Sequence, residues 1–199
     1  GFNHIHWQLD VIWSDMKKYG SFDEWILKYN RGITLLIKEW VERVKKSGNV
    51  GKLVPFIGVM NTLLTNKPVR LRCGSGIDAF AIQTNGDIYA CPVCPEFDDF
   101  RVGSIFIEKP TDIYESLLIG PPCTKCEVLD VCGGRCLFAN KHHLDWGEEG
   151  FEKVCKTVKH LINELKGVKP EISKLIDNNI IPLEKFNYPP FNNSVEVIP

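Results

Sequence analysis

The residues with the most chemistry to offer are eight cysteines, four of which stand in one run, Cys123, Cys126, Cys132 and Cys136, within C-T-K-C-E-V-L-D-V-C-G-G-R-C. Spacings of x2, x5 and x3 let neighbouring thiolates converge on one metal centre. Gly133 and Gly134 suit that reading, because a backbone wrapped closely around a cluster takes positive φ and must leave room for inorganic sulfide. Cys73, Cys91, Cys94 and Cys155 lie outside the run, so the thiols suffice for two four-ligand sites. Three chemistries compete. A disulfide framework needs an oxidising compartment, and the N-terminus lacks the basic-then-apolar layout of a secretory signal. Two C-x2-C pairs, Cys91 with Cys94 and Cys123 with Cys126, have the shape of a zinc ribbon, but Cys73, Cys132, Cys136 and Cys155 would then need a second tetrahedral site. Iron-sulfur clusters take cysteines in fours, accept long gaps before a last ligand and use glycine-rich wraps, and this is the favoured reading.

Composition narrows the setting. The chain has 199 residues and 44% hydrophobic content, enough for a sizeable core. A net charge of -1 offers no field for nucleic acid or an anionic membrane, and no apolar run approaches the roughly 18 residues that span a bilayer. The expected compartment is the cytosol, where thiols stay reduced and the sequon Asn192-Asn193-Ser194 goes unused.

The elements that must position the thiols can be read in outline. From His4 to Ser14 apolar residues alternate with polar ones, Ile5, Trp7 and Leu9 against His6, Gln8 and Asp10, which predicts a strand with two unlike faces. No comparable partner follows within fifty residues. Either the strand is an ordinary amphipathic edge, or it belongs to a larger sheet whose interior its polar face lined. Ser21 and Glu24 form an S-x-x-E capping box for a long helix whose apolar stripe runs from Phe22 to Val44 and which Gly48 can close. A shorter apolar helix follows from Phe56 to Leu64. Asn85-Gly86 between Ala79–Gln83 and Ile88–Ala90 predicts a hairpin on a type I′ turn, with Cys91 ending its second strand and Cys73 just before its first. A strand over Gly103–Ile107, a short helix over Thr111–Leu118 capped by Thr111, and a helix from about Glu148 to Lys166 complete the order. The last of these turns Cys155 inward, and an irregular tail is expected beyond it.

One pattern embraces all of this: C-x12-G-x4-C from Cys73 through Gly86 to Cys91, then C-x2-C-x5-C-x3-C from Cys123 to Cys136, then Cys155. It closely resembles the SPASM domain, the auxiliary-cluster domain of radical S-adenosylmethionine enzymes such as the anaerobic sulfatase-maturating and peptide-modifying enzymes. The resemblance covers about residues 70 to 160. It implies an α/β chain: residues 1–68 as the C-terminal remnant of a partial (β/α) barrel, 69–166 as a small cysteine-rich α+β SPASM domain with a β-hairpin, and 167–199 as a mostly irregular tail. It also implies two 4Fe-4S clusters. Cys123, Cys126, Cys132 and Cys155 would ligate the one farther from the barrel, and Cys73, Cys91 and Cys136 the nearer. Cys94 is the available fourth ligand there; an open iron or a free buried thiol are the alternatives.

The family's C-x3-C-x2-C motif, which holds the S-adenosylmethionine-cleaving cluster, is absent: Cys132 and Cys136 have the first spacing, but position 139 is Ala139. Residues 1–72 cannot close a barrel, which takes on the order of 200 residues. The resemblance therefore implies part of an enzyme, or a degenerate relative, that would need the missing barrel half for S-adenosylmethionine and a third cluster. A peptide or protein substrate and an electron donor such as ferredoxin or flavodoxin complete the implied partners. His6, Gln8 and Asp10 are candidates for contact with cofactor or substrate, or are structural polar residues. His142 and His143 read as surface residues, and Arg135 as a counter-charge to a cluster made anionic by four thiolates or as an ordinary solvated side chain.

Overall fold

A computed structural model describes residues 4–9, 20–142 and 147–187. β1 (His4–Ile5) is followed, beyond the undescribed stretch, by α1 (Phe22–Ser47). The helix opens as its sequence predicts, with Ser21 Oγ accepting the Glu24 N–H at 3.3 Å. It closes on Gly48, left-handed at φ 64°, whose N–H returns to Val44 O at 2.8 Å. β2 (Lys52–Leu53) pairs in parallel with β1, His4 opposite Lys52 and Ile5 opposite Leu53, and leads into α2 (Val54–Thr65).

The long strand expected from His4 is thus confined, among the described residues, to two positions; residues 10–14, with Asp10, lie outside them. Its partner exists, but two residues are too few to carry a period-2 signal. The alternation survives in packing. Trp7 meets Phe56 edge-on at 5.8 Å and donates its indole N–H to the Tyr29 hydroxyl at 3.0 Å, while Leu9 packs on Phe22, Ile26 and Val154. Ile5, on the same apolar phase, remains 47% exposed.

β3 (Ala81–Ile82), β4 (Asp87–Tyr89) and β5 (Arg101–Ser104) form an antiparallel sheet in sequence order. The hairpin lies where Asn85-Gly86 predicts it, but the turn is of another type. Gly86 alone of the pair takes positive φ, at 88°, and Gly86 N–H returns to Gln83 O at 2.9 Å while Gln83 N–H donates to Asp87 O at 2.8 Å. That is a three-residue loop ending in a left-handed glycine, and Asn85 serves it through Oδ1, which accepts the Asp87 N–H at 3.0 Å. The strand expected over Gly103–Ile107 starts two residues earlier and stops at Ser104. The helix expected over Thr111–Leu118 is the single turn α3 (Pro110–Ile113), capped at Lys109, whose N–H donates to Asp112 Oδ2.

α4 (Leu129–Cys132), α5 (Leu137–Lys141) and α6 (Gly147–Asp177) follow. α6 packs along α1 and α2, burying Phe151, Val154, Val158, Leu161, Ile162 and Leu165 as its periodicity predicts. It does not end at Lys166. The helix runs through Pro170 to Asp177, so the irregular tail expected from residue 167 is corrected over that stretch. An interior proline costs about 3 kcal/mol. Fully buried Ile172 continues the inward stripe and returns roughly 2 kcal/mol, and the partly buried Leu175 and Ile176 packed beside it add to that. Leu183–Phe186 then makes one 3-10 turn that seats Phe186 against Trp40, with ring centroids 6.3 Å apart. No helix among the described residues is long and apolar enough to cross a membrane.

Candidate metal centre

All eight cysteines are free thiols, which removes the disulfide framework. The run from Cys123 is folded by three short elements. A 3-10 turn, Cys123–Lys125, brings Cys126 round so that its N–H donates to Cys123 O at 3.0 Å. α4 carries Cys132 inward and ends on Gly133, left-handed at φ 76°. Gly134 and Arg135 also take positive φ, 91° and 51°, and this reversal turns the amides of both residues onto the Cys132 sulfur. Cys136 caps α5, its Sγ accepting the Ala139 N–H at 3.5 Å. From the far side, α6 presents Cys155.

Cys123, Cys126, Cys132 and Cys155 line one small cavity of about 30 Å³, open on one side and walled by Val128, Leu129, Phe151, Val154 and Val158. Residues separated by up to thirty-two positions are thus gathered around one space. Cys136 reaches the same wall, and it is also close enough to Cys94 to act on that thiol. Burial pushes the Cys123 thiol up to about 11, helped by Cys132 and Cys126, and the Cys155 thiol up to about 12, helped by Cys123 and Cys132. Burial raises Cys132 too, against the pull of its two amides and of Arg72 and Arg135.

The second group gathers behind the hairpin. Cys91, Cys94 and Cys136 share a core cluster with Leu71, Tyr89, Phe100 and Phe138. The Cys94 thiol is raised, first by its hydrogen bond with Cys91. Cys73 sits on the loop that Leu71 ties to the cysteine run, Leu71 N–H donating to Gly133 O at 2.7 Å, and its own Sγ donates to Ser75 Oγ at 3.3 Å. Among the described residues no three His, Cys, Asp or Glu side chains are drawn tightly enough to hold a single metal ion.

The donor set suits an iron-sulfur cluster. Thiols around an apolar chamber would supply the ligands, and amide N–H groups aimed at one sulfur, with two guanidinium groups close to it, would offset the negative charge of a thiolate-ligated cluster.

Two of these supports escaped the sequence. Arg72 donates to Gly58 O at 3.2 Å, Thr62 Oγ1 at 2.9 Å and Val131 O at 2.6 Å, and burial pulls its guanidinium down to about 10. Asn140, only 6% exposed, accepts the Gly120 N–H at 2.6 Å, donates to Gly120 O and Pro121 O, and hydrogen-bonds the Cys123 thiol. Nothing in an arginine before a cysteine, or an asparagine in a short helix, announces these tertiary partners. Asn140→Ala leaves a buried amide unanswered, which costs about 1–3 kcal/mol. We expect that loss in chemical denaturation, with faster release of metal from the Cys123 side than from wild type.

Of the other candidates, His6 and Gln8 share one side, their Nε2 atoms 3.2 Å apart, away from every cysteine-lined cavity. His142 bonds Asp99 Oδ2 at 2.9 Å and packs on Phe97 with ring centroids 4.6 Å apart, which accounts for it without a metal; His143 lies outside the described residues. Arg135 is 8% exposed and lines the cavity, so it is not an ordinary solvated side chain.

No family model matches the chain, and no curated protein does. Solved structures do. Native anSMEcpe with bound AdoMet superposes with a TM-score of 0.53 and 20% identity, over 86% of this chain and 48% of that one. The same protein with bound AdoMet and Kp18Cys peptide gives 0.52 and 20%, over 85% and 48%, and with Cp18Cys peptide 0.51 and 20%, over 77% and 44%. This chain thus spans a little under half the length of those neighbours. By its fold, the chain matches part of an anaerobic sulfatase-maturating enzyme of the radical S-adenosylmethionine SPASM type.

Proposed function

We propose that this chain is the auxiliary-cluster portion of a radical S-adenosylmethionine enzyme that modifies a peptide or protein side chain. One observation carries the reading: thiols from the cysteine run and from α6 line a single chamber within a fold shared with AdoMet-bound and peptide-bound structures. Cys123, Cys126, Cys132 and Cys155 would hold one 4Fe-4S cluster. Cys73, Cys91, Cys94 and Cys136 would hold the other. The chain's own contribution is to exclude water with Phe151, Val154 and Val158, to orient Cys132 through the Gly134 and Arg135 amides, and to lend positive charge through Arg72 and Arg135. When bound, such clusters supply one-electron chemistry or a substrate anchor.

Residues 1–68 belong to a barrel layer whose remaining part would carry AdoMet and a third cluster, with His6 and Gln8 facing its interior. A cytoplasmic setting and a donor of the ferredoxin or flavodoxin kind go with this reading. Metal and sulfide analysis of anaerobically purified chain tests it. A brown sample with about eight irons is expected; a colourless, zinc-loaded sample identifies a zinc-binding interaction module instead and overturns the proposal.

A further inference from the structure

Besides Arg135, which lines the cavity itself, three arginines near the cysteines are treated differently by the fold. Arg70 pairs with Glu115, and Arg101 pairs with Asp87 through Nε at 2.8 Å and Nη2 at 2.6 Å. Arg72, the most enclosed of the three, has no carboxylate partner among the described residues. Its Nη1 and Nη2 donate only to the neutral oxygens of Gly58, Thr62 and Val131, and its Nε, shielded from solvent, has no acceptor among the described residues. Its bond to Val131 O, at 2.6 Å, holds it beside Cys132, whose buried thiol is neutral without a metal. A guanidinium stays charged in any protein environment, and enclosing one without a counter-ion is costly. Three hydrogen bonds from α2 and α4 nevertheless fix it there.

We infer that the counter-ion of Arg72 is the anionic cluster held through Cys132, so that Arg72 is a positioning residue that raises the reduction potential of that cluster and links its loading to the packing of α2 against the cysteine run. The inference rests on the cluster reading above. A fixed positive charge beside a cluster favours the reduced, more negative state, so removing it drives the potential down. The effect falls mainly on that cluster, because the guanidinium is tied at 2.6 Å to Val131 O, next to Cys132, although the backbone of Arg72 precedes Cys73 of the other group. Loading should also stabilise the wild-type chain more than a variant with no buried cation to neutralise.

The test is a redox titration, followed by electron paramagnetic resonance, of the iron-loaded full chain as wild type, Arg72→Met, Arg72→Lys and Thr62→Val, with thermal unfolding of each before and after reconstitution with iron and sulfide. Arg72→Met should lower the potential of one cluster and leave the other in place, and its gain in melting temperature on loading should shrink. Arg72→Lys, which keeps the charge, should stay near wild type in both measurements. Thr62→Val removes one anchor, not the charge, and should leave the potential unmoved. Iron-loaded protein in which neither potential moves, both move equally, or Arg72→Lys or Thr62→Val shifts as far as Arg72→Met overturns the inference while leaving the cluster reading intact. A wild type that takes up no iron overturns that reading, and this one with it.

Discussion

Replacing Cys126 by alanine is expected to remove about half of the iron, four of some eight atoms, while the signal of the site containing Cys73 and Cys91 survives. Cys126 is the informative thiol because it stands on the rim. It is partly exposed at the end of the 3-10 turn, lines both the inner chamber and the open groove beyond it, and has Glu127 Oε2 3.7 Å from its sulfur. Alanine there vacates little packed volume. Cys132 is a worse choice, since it is buried and its sulfur collects two backbone amides, so its loss would unsettle the Gly133–Arg135 reversal as well as the ligand set. Iron content, the spectra of the remaining cluster and the far-ultraviolet circular dichroism together decide the matter. Unchanged iron rejects the assignment of Cys126 as a ligand. Loss of all the iron with retained helix content shows that the two groups load as one unit, a coupling that Cys136, placed at both, is able to transmit.

That Cys123, Cys126 and Cys132 would face one space was legible in their short spacings, and the turn of Cys155 toward the same space followed from the period of α6. The hairpin was legible through Asn85-Gly86, although its turn type was not: a glycine after asparagine admits either one or two positive φ values, and the choice falls to the side-chain bond of Asn85 to the Asp87 amide. Pro170 misled, because local propensity speaks for one residue whereas Ile172, Leu175 and Ile176 speak together through burial. β1 misled differently. Its alternating pattern continues past its hydrogen-bonded length, and packing of Trp7 and Leu9 on helices, not ladder bonds, is what the alternation encodes among the described residues. Arg72 and Asn140 were illegible, since the roles of both are set by carbonyls and thiols remote in sequence.

Gly76→Ala is expected to strip iron from the site that contains Cys73 and to spare the Cys123 side. The loop from Leu71 to Ala79 is wound on itself, with Gly74 O accepting the Ile77, Asp78 and Ala79 amides at 3.0 Å each and the Gly76 N–H returning to Ala79 O at 3.3 Å. Gly76 stands at φ +71°, where an L-residue costs about 1–2 kcal/mol. The larger obstacle is its neighbour. A Cβ at this position would sit far inside contact distance of the Leu117 carbonyl oxygen, with Leu137 Cδ2 at 3.3 Å behind it, and a backbone oxygen cannot swing aside as a side chain can. The loop must lift, carrying Cys73 with it. Gly86→Ala is the matched control: it suffers a similar conformational cost at φ +88°, but the atoms it meets belong to the ring of Phe106, 78% exposed and free to rotate into solvent. Gly86→Ala should therefore keep all its iron and lose only a little stability. The helical core of α1, α2 and α6 lies apart from both positions, so circular dichroism should show folded chain in each. Equal iron retention in the two variants would mean that the contact of Gly76 with Leu117 does not set the place of Cys73, and that the ligand is delivered by the Leu71–Gly133 bond alone.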